Sequence, residues 1–204
     1  MRIAILIEGK TERAFKPFLQ DFLKRHLAGR MPSLDFVPQH GGLPTNAKLQ
    51  RVVENLLNDR RTPADAVIGL TDVYTGKNPP LFEDAADAKR KLSQWVGGNP
   101  KFYAHTALHD FEAWLLPYWE KIQRLAKSNR AKPATNSETV NHNNPPAYRL
   151  KDVFRTGACN RDYSKTIDAP RILRGENLAI AIQECNELKS FVNRTISLCG
   201  GKRN

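Results

Sequence analysis

The start of the sequence constrains the fold more than any other stretch. Residues 3–7 are continuously apolar, and the chain then changes abruptly to Glu8-Gly9-Lys10-Thr11-Glu12. A short apolar run of this kind is typical of a strand buried on both faces, as in a parallel sheet. Gly9 permits a tight turn, and Thr11 is a candidate N-cap for a helix. The pattern predicts that Glu8 lies at the carboxyl end of a central strand, where open α/β sheets place their ligands.

Two later apolar runs also end in acids. Residues 66–71 lead into Asp72, and residues 102–108 lead into His109-Asp110-Phe111-Glu112. Helical periodicity occurs between and after these runs, over residues 11–27, 47–58, 83–96 and 113–127, the last with an expected interruption at Pro117. If the three strands are neighbours, their acids converge on one edge of the sheet.

Strands that alternate with helices at this spacing predict an α/β fold with a mostly parallel sheet flanked by helices. We expect residues 1–127 to form this core. Residues 128–147 are polar without apolar periodicity and predict a loop. Residues 148–204 predict a small helical C-terminal extension packed on the core.

Charge and composition narrow the choice of partners. The formal net charge of +11 predicts attraction to polyanions, with nucleic acid as the first partner and an acidic protein as the second. The three cysteines form no CxxC pair, so neither a zinc site nor a disulfide framework is indicated. Because there is no signal peptide and no apolar run long enough to cross a membrane, we expect a cytoplasmic protein. Oligomeric state is not readable from the sequence.

One apparent motif must be rejected. Gly9-Lys10-Thr11 looks like the end of a phosphate-binding P-loop, but that motif needs a glycine five residues before Gly9. Ala4 occupies that position, inside the first strand. A nucleotide-binding P-loop is therefore not indicated.

The Glu8-Gly9 turn, followed by a later strand that ends in Asp72, resembles the Toprim fold. Toprim domains occur in topoisomerases, bacterial primases and nucleases of the overcoming-lysogenization-defect (OLD) type. The resemblance implies that Glu8 is the general acid/base or metal-linked glutamate. It also implies that Asp72 is the first aspartate of the Toprim Asp-x-Asp pair. Tyr74 stands where the second aspartate is expected.

A closer resemblance covers nearly the whole chain. It rests on residues 7–12, residues 109–116, Asn144-Pro145-Pro146 with Arg149-Leu150, and Tyr163-Ser164-Lys165. These blocks resemble family 4276 of the domains of unknown function, a Toprim-like family often encoded beside ATPase genes, including in anti-phage loci. The resemblance implies an ATPase partner and a role in defence. Asp110 departs from the family's His-Glu-Phe-Glu block.

The acids also support a chemical interpretation of their own. Phosphodiester hydrolysis needs Mg²⁺ or Mn²⁺ held by a few carboxylates, and Glu8, Asp72 and Glu112 could supply the oxygen ligands. His109 and Glu112 are three residues apart, so a helical turn would place them on one face. His109 could then transfer a proton or bind a phosphate oxygen. A structural histidine at a strand–helix junction is the alternative.

Further candidates have secondary roles. Glu12 could support Glu8 from one turn further on, or simply stabilise the helix N-terminus. Asp110 is a weaker ligand candidate. Basic side chains could contact phosphate, and tyrosines could stack on bases. The basic candidates are Lys10, which is also proposed as catalytic, Arg149 and Lys165; the tyrosines are Tyr74, Tyr148 and Tyr163.

Two functional interpretations follow. The first is a metal-dependent nuclease of Toprim type that acts on DNA or on a structured RNA, with Glu8, His109 and Lys10 as catalytic residues. The second is a non-catalytic Toprim-like subunit that binds nucleic acid or regulates an ATPase complex. The missing second aspartate at Tyr74 favours the second interpretation.

Overall fold

A sheet of four parallel strands lies at the centre of the part of the chain that the structure describes. The computed structural model describes residues 1–39, 41–74, 78–133, 136–139 and 144–201. The strands are β1 (Arg2–Ile7), β2 (Ser33–Pro38), β3 (Ala66–Asp72) and β4 (Phe102–Ala107). Their spatial order is β2-β1-β3-β4, and every neighbouring pair is parallel. The predicted α/β class with a parallel sheet flanked by helices is confirmed.

Helices connect the strands and make up the C-terminal part of the described chain. They are α1 (Lys10–His26), α2 (Ala47–Leu57), α3 (Ala85–Trp95), α4 (Trp119–Ala126), α5 (Pro146–Thr156), α6 (Asp168–Leu173), α7 (Leu178–Glu184) and α8 (Asn186–Leu198). Within the described ranges, three short 3₁₀ segments occur at Phe111–Trp114, Leu116–Tyr118 and Ser137–Thr139. None of the helices in the described ranges has the length and apolar character needed to cross a bilayer.

The sheet is covered by apolar side chains on both faces. Alternate residues of β1 point to opposite faces, so Ile3, Ile5 and Ile7 belong to one hydrophobic cluster and Ala4 and Leu6 to another. All five side chains are fully buried, as expected for a strand inside a parallel sheet. The first cluster also contains side chains of α1 and of the C-terminal helices, among them Phe154, Ile172 and Phe191. Residues after 148 therefore share the core of the sheet.

Several expected boundaries differ from the structure. The first helix begins at Lys10 with Gly9 as its N-cap, so the expectation that Thr11 is the cap was wrong. The helix expected from 113 begins only at Trp119, because two 3₁₀ turns precede it and Pro117 lies in the second. The polar loop contains the 3₁₀ segment Ser137–Thr139, while residues 134–135 and 140–143 lie outside the described residues.

Candidate active site

Glu8 follows β1 and is held by the end of β3. Leu6 pairs with Gly69, so the register of the parallel strands brings Glu8 level with Thr71. The Thr71 hydroxyl donates a hydrogen bond to Glu8 Oε1, and the Asp72 backbone N–H donates to the same oxygen at 3.2 Å. The half-buried Asp72 is thereby placed directly beside Glu8.

Glu112 joins three separate parts of the chain. It lies in the 3₁₀ turn after β4, and its side chain has no exposed surface. Its Oε1 accepts a hydrogen bond from the Thr11 hydroxyl at 3.2 Å, and its Oε2 lies 3.1 Å from Lys165 Nζ. Glu112 therefore connects the first turn of α1 with the loop before α6.

Two more acids, Asp110 and Glu12, are buried near Asp72 and Glu112. Asp110 Oδ2 accepts a hydrogen bond from Ala147 N at 3.1 Å, whereas its buried Oδ1 has no hydrogen-bond partner among the described residues. Glu12 is also buried, and a Cβ atom on Gly9 would lie 2.9 Å from Glu12 Oε2. Glycine at position 9 thus makes room for this carboxyl group as well as for the turn.

The acids act strongly on one another. Burial, followed by the charges of Glu8, Glu12, Asp110 and Glu112, raises the pKa of Asp72 well above its ordinary value. Burial and the neighbouring acids raise the pKa of Glu12 to about 7. Burial and the charge of Glu112 raise the pKa of Asp110 to about 7. The five carboxyl groups form one electrostatic cluster, called the acid cluster below.

Lys165 faces this cluster with a partly exposed side chain. Burial lowers the pKa of Lys165, but the charges of Glu112 and Asp72 outweigh burial and raise it. Because 49% of the Lys165 side chain is exposed, solvent screens much of this attraction. The ammonium group therefore offsets only part of the cluster's negative charge.

The acid cluster has the donor chemistry of a divalent cation site. Carboxylate oxygens suit Mg²⁺ and Mn²⁺, and the unpartnered Asp110 Oδ1 is an oxygen that a cation or its water could satisfy. Glu8, Asp72 and Glu112, the predicted ligands, all lie in this cluster. As their side chains stand, however, no group of three His, Cys, Asp or Glu residues within the described ranges is arranged to hold a metal ion.

His109 lies beside the acid cluster, but not in the geometry expected from its spacing to Glu112. Asp110 between them is extended, with φ of −143°, and the 3₁₀ turn begins only at Phe111. The expectation that His109 and Glu112 share one helical face was therefore wrong. The His109 carbonyl instead accepts a hydrogen bond from Tyr74 N at 2.6 Å, which joins the ends of β4 and β3.

The tyrosine candidates have different environments. Tyr163 is only 5% exposed and packs edge-on against Phe154, with ring centroids 5.6 Å apart, so its ring is not accessible to a base. Burial and the nearby Glu112 raise the pKa of its phenol. Tyr74 is hydrogen-bonded to Tyr148, which raises the pKa of Tyr74, and Tyr148 is 47% exposed.

The basic candidates are also placed differently from one another. Arg149 is half-buried on α5, and its Nε is buried without a hydrogen-bond partner among the described residues. The backbone of Lys10 begins α1, but its side chain lies outside the described structure. Of the basic candidates, Lys165 contacts an acid of the cluster directly.

Sequence reasoning missed the two threonine hydroxyls that orient Glu8 and Glu112. Thr71 is the last residue of an apolar run, and the pattern around Thr11 predicts only a helix cap. A buried hydroxyl at the end of a central strand needs a hydrogen-bond partner, and this was the available signal.

The C-terminal region of the Burkholderia pseudomallei OLD protein is a similar solved structure, with a TM-score of 0.46 and 14% sequence identity over 94% of this chain and 98% of that chain. No curated protein matches the sequence. The model of the family described as "Domain of unknown function (DUF4276)" matches residues 7–195, a range that includes every motif block described above. The chain therefore belongs to the DUF4276 family, as its motifs predicted.

Proposed function

We propose that this DUF4276 protein is a metal-dependent nuclease of Toprim type, which hydrolyses phosphodiester bonds in DNA or RNA. The observation that carries the proposal is the convergence of five carboxyl groups at the carboxyl end of the parallel sheet. Burial and the neighbouring charges disfavour ionisation of Asp72, Glu12 and Asp110, so these three acids lower the stability of the fold at neutral pH. Such perturbed groups concentrate at functional sites, where a bound cation or substrate uses them.

Different residues of the chain would bind the cation and orient its ligands. Glu8, Asp72 and Glu112 would hold Mg²⁺ or Mn²⁺, and when bound the cation supplies Lewis-acid stabilisation of the phosphate and an activated water. The Thr71 hydroxyl and the Asp72 amide orient Glu8. Glu12 and Asp110 supply further negative charge around these ligands.

The remaining candidates would act on the substrate. Lys165, half-exposed beside Glu112, would bind a phosphate oxygen, with Arg149 as a second phosphate contact. Lys10, two residues after Glu8 in the sequence, would act as a further catalytic residue. His109, next to the cluster, would carry a proton. Tyr163 belongs to the site through its buried phenol near Glu112 rather than through stacking on a base.

The proposal extends to partners and setting. The net charge of +11 supports a polyanionic substrate. The family resemblance supports an ATPase partner that controls the nuclease, and a role as effector of an ATPase-linked anti-phage system in the cytoplasm. An unregulated nuclease would damage the host's own nucleic acids, so we expect a partner to control it.

The test compares wild type with Glu8→Gln on plasmid DNA, single-stranded DNA, total RNA and tRNA, with Mg²⁺ or Mn²⁺, with and without a neighbouring ATPase. Glu8→Gln removes the charge and keeps the size, so cleavage should fall by at least about 100-fold while the circular dichroism spectrum is unchanged. Glu120 is an exposed acid on α4, so Glu120→Gln is the matched control and should cleave like wild type. Full activity of Glu8→Gln would refute the assignment.

A second function is favoured by two observations. Tyr74 occupies the place of the second Toprim aspartate, and no three-residue metal cluster is arranged within the described ranges. Both fit a non-catalytic subunit that binds nucleic acid or regulates an ATPase. Under this alternative, millimolar Mg²⁺ or Mn²⁺ would leave the melting temperature unchanged, whereas a ligand that binds only the native state raises it.

A further inference from the structure

A half-buried ion pair lies in the segment that carries Lys165. Arg161 donates to Asp168 from both terminal nitrogens, with Nη1–Oδ2 and Nη2–Oδ1 distances of 2.7 Å. The Asp168 side chain has no exposed surface, and 38% of the Arg161 side chain is exposed. A bidentate pair of this kind is strong and restricts the relative orientation of its two partners. Arg161 and Asp168 are therefore held in one arrangement.

Asp168 also holds the backbone of the loop before α6. The Ser164 N–H donates to Asp168 Oδ2 at 2.8 Å, and the Asp168 N–H donates to the Ser164 carbonyl at 2.7 Å. These two hydrogen bonds close residues 164–168 into a loop from both ends. Lys165 is the second residue of that loop, so the direction in which its side chain leaves the backbone depends on Asp168.

The side chains on either side of the anchored Ser164 amide both approach Glu112. Lys165 Nζ lies 3.1 Å from Glu112 Oε2, and the buried Tyr163 phenol lies close enough for Glu112 to raise its pKa. Phe154 supports the same loop, because it packs against the Tyr163 ring and its centroid lies 4.9 Å from the Arg161 guanidinium carbon. The packing of this loop thus holds the Tyr163 and Lys165 side chains toward Glu112.

We infer that Arg161 and Asp168 are positioning residues that hold Lys165 against Glu112. A flexible lysine with a half-exposed side chain gains little from an ion pair unless its backbone is already placed, because ordering the side chain costs entropy. The anchored loop removes part of that cost. The catalytic consequence rests on the proposed nuclease function, whereas the placement of Lys165 does not.

The first test measures Lys165 without any substrate. The native protein is treated with an amine-reactive ester, and the labelling rate of Lys165 is followed by mass spectrometry relative to the exposed Lys189. Asp168→Asn removes the charge and Arg161→Lys removes the bidentate geometry, and each should raise the Lys165 rate about threefold. Arg161→Lys is the milder change and decides the result if Asp168→Asn does not fold.

The matched control is Asp162→Asn, which breaks the exposed Arg155–Asp162 pair in the same segment. The Arg155 and Asp162 side chains are each about 70% exposed, so breaking their ion pair should leave the labelling rate of Lys165 unchanged. An unchanged Lys165 rate in both Asp168→Asn and Arg161→Lys, or an equal rise in Asp162→Asn, would overturn the inference.

The second test is a double-mutant cycle on kcat. If Asp168 acts through Lys165, Asp168→Asn should lower kcat in wild type and cause no further loss in Lys165→Ala. Independent, additive losses would mean that Asp168 acts elsewhere and would overturn the positioning role. If wild type cleaves no substrate, the proposed nuclease fails and the labelling rates alone decide the placement of Lys165.

Discussion

Replacing Glu12 by glutamine should stabilise the protein above neutral pH. Glu12 is 5% exposed, and burial, followed by the charges of Glu112 and Glu8, raises its pKa from 4.5 to about 7, even though its backbone hydrogen bond lowers it. In the unfolded chain the pKa returns to about its ordinary value. Between these two pKa values the native state binds a proton that the unfolded state lacks, so stability rises as the pH falls through this window.

The size of the effect follows from the two pKa values. At about 1.4 kcal/mol for each pKa unit, the difference between 4.5 and about 7 corresponds to about 3 kcal/mol of unfolding free energy lost above pH 7. Glutamine keeps the shape of the side chain and cannot ionise. Glu12→Gln should therefore recover about 1–3 kcal/mol at pH 8, but only about 0.4 kcal/mol near pH 4.5, where the native acid is protonated and the unfolded acid is half protonated.

Urea unfolding at pH 8, 6.5 and 5 measures this difference directly. EDTA is present throughout, so that no divalent cation neutralises the cluster. Glu120 is an exposed acid on α4, so Glu120→Gln is the control, and its unfolding free energy should show no pH-dependent difference from that of wild type. The reasoning is wrong if Glu12→Gln is no more stable than wild type at pH 8, or if its effect is the same at all three pH values.

Three other changes test separate parts of the structure. Gly157→Ala should lower the unfolding free energy by at least about 2 kcal/mol, because the added methyl group would lie 2.1 Å from the Ala126 carbonyl oxygen. Chemical denaturation measures this loss, and Gly29→Ala is the control because its added methyl group meets nothing within 4 Å. Asp72→Asn should abolish the rise in Tm that millimolar Mn²⁺ gives wild type in calorimetry, and an equal rise in both proteins rejects Asp72 as a ligand. Arg149→Ala should weaken nucleic-acid binding and reduce the salt slope by about 1 in titrations at several salt concentrations; an unchanged slope rules out a phosphate contact.

The sequence predicts the strands and the place of the acids well, because both depend on local patterns. Each apolar run is long enough to be a buried strand, and each is followed directly by a polar or charged residue. Parallel strands bring their carboxyl ends to one edge, so Glu8 and Asp72 were expected to lie together and do so. The arrangement of the helices after residue 113 was less predictable, because Pro117 and tertiary packing divide that region into short turns.

The details of the site depend on contacts that spacing cannot show. His109 was placed on a helical turn by its separation from Glu112, but an extended Asp110 breaks that turn. Lys165 reaches Glu112 across 53 residues of sequence, and Asp168 supports it through a loop whose closure is visible only in three dimensions. Burial of Tyr163 in the loop before α6 likewise depends on Phe154, which lies on α5.

The net charge of this protein and the charge of its acid cluster have opposite signs, and they act over different distances. The net charge of +11 acts over the surface and attracts a polyanion from a distance of about a Debye length, roughly 10 Å at 0.1 M salt. The acid cluster acts at contact distance and in a buried environment, where like charges repel most strongly. A phosphate group brought to the surface by the first field would be repelled by the second unless a cation neutralises the acids. The stability gained in Glu12→Gln and the cation response lost in Asp72→Asn should therefore have one origin, the excess negative charge of the cluster.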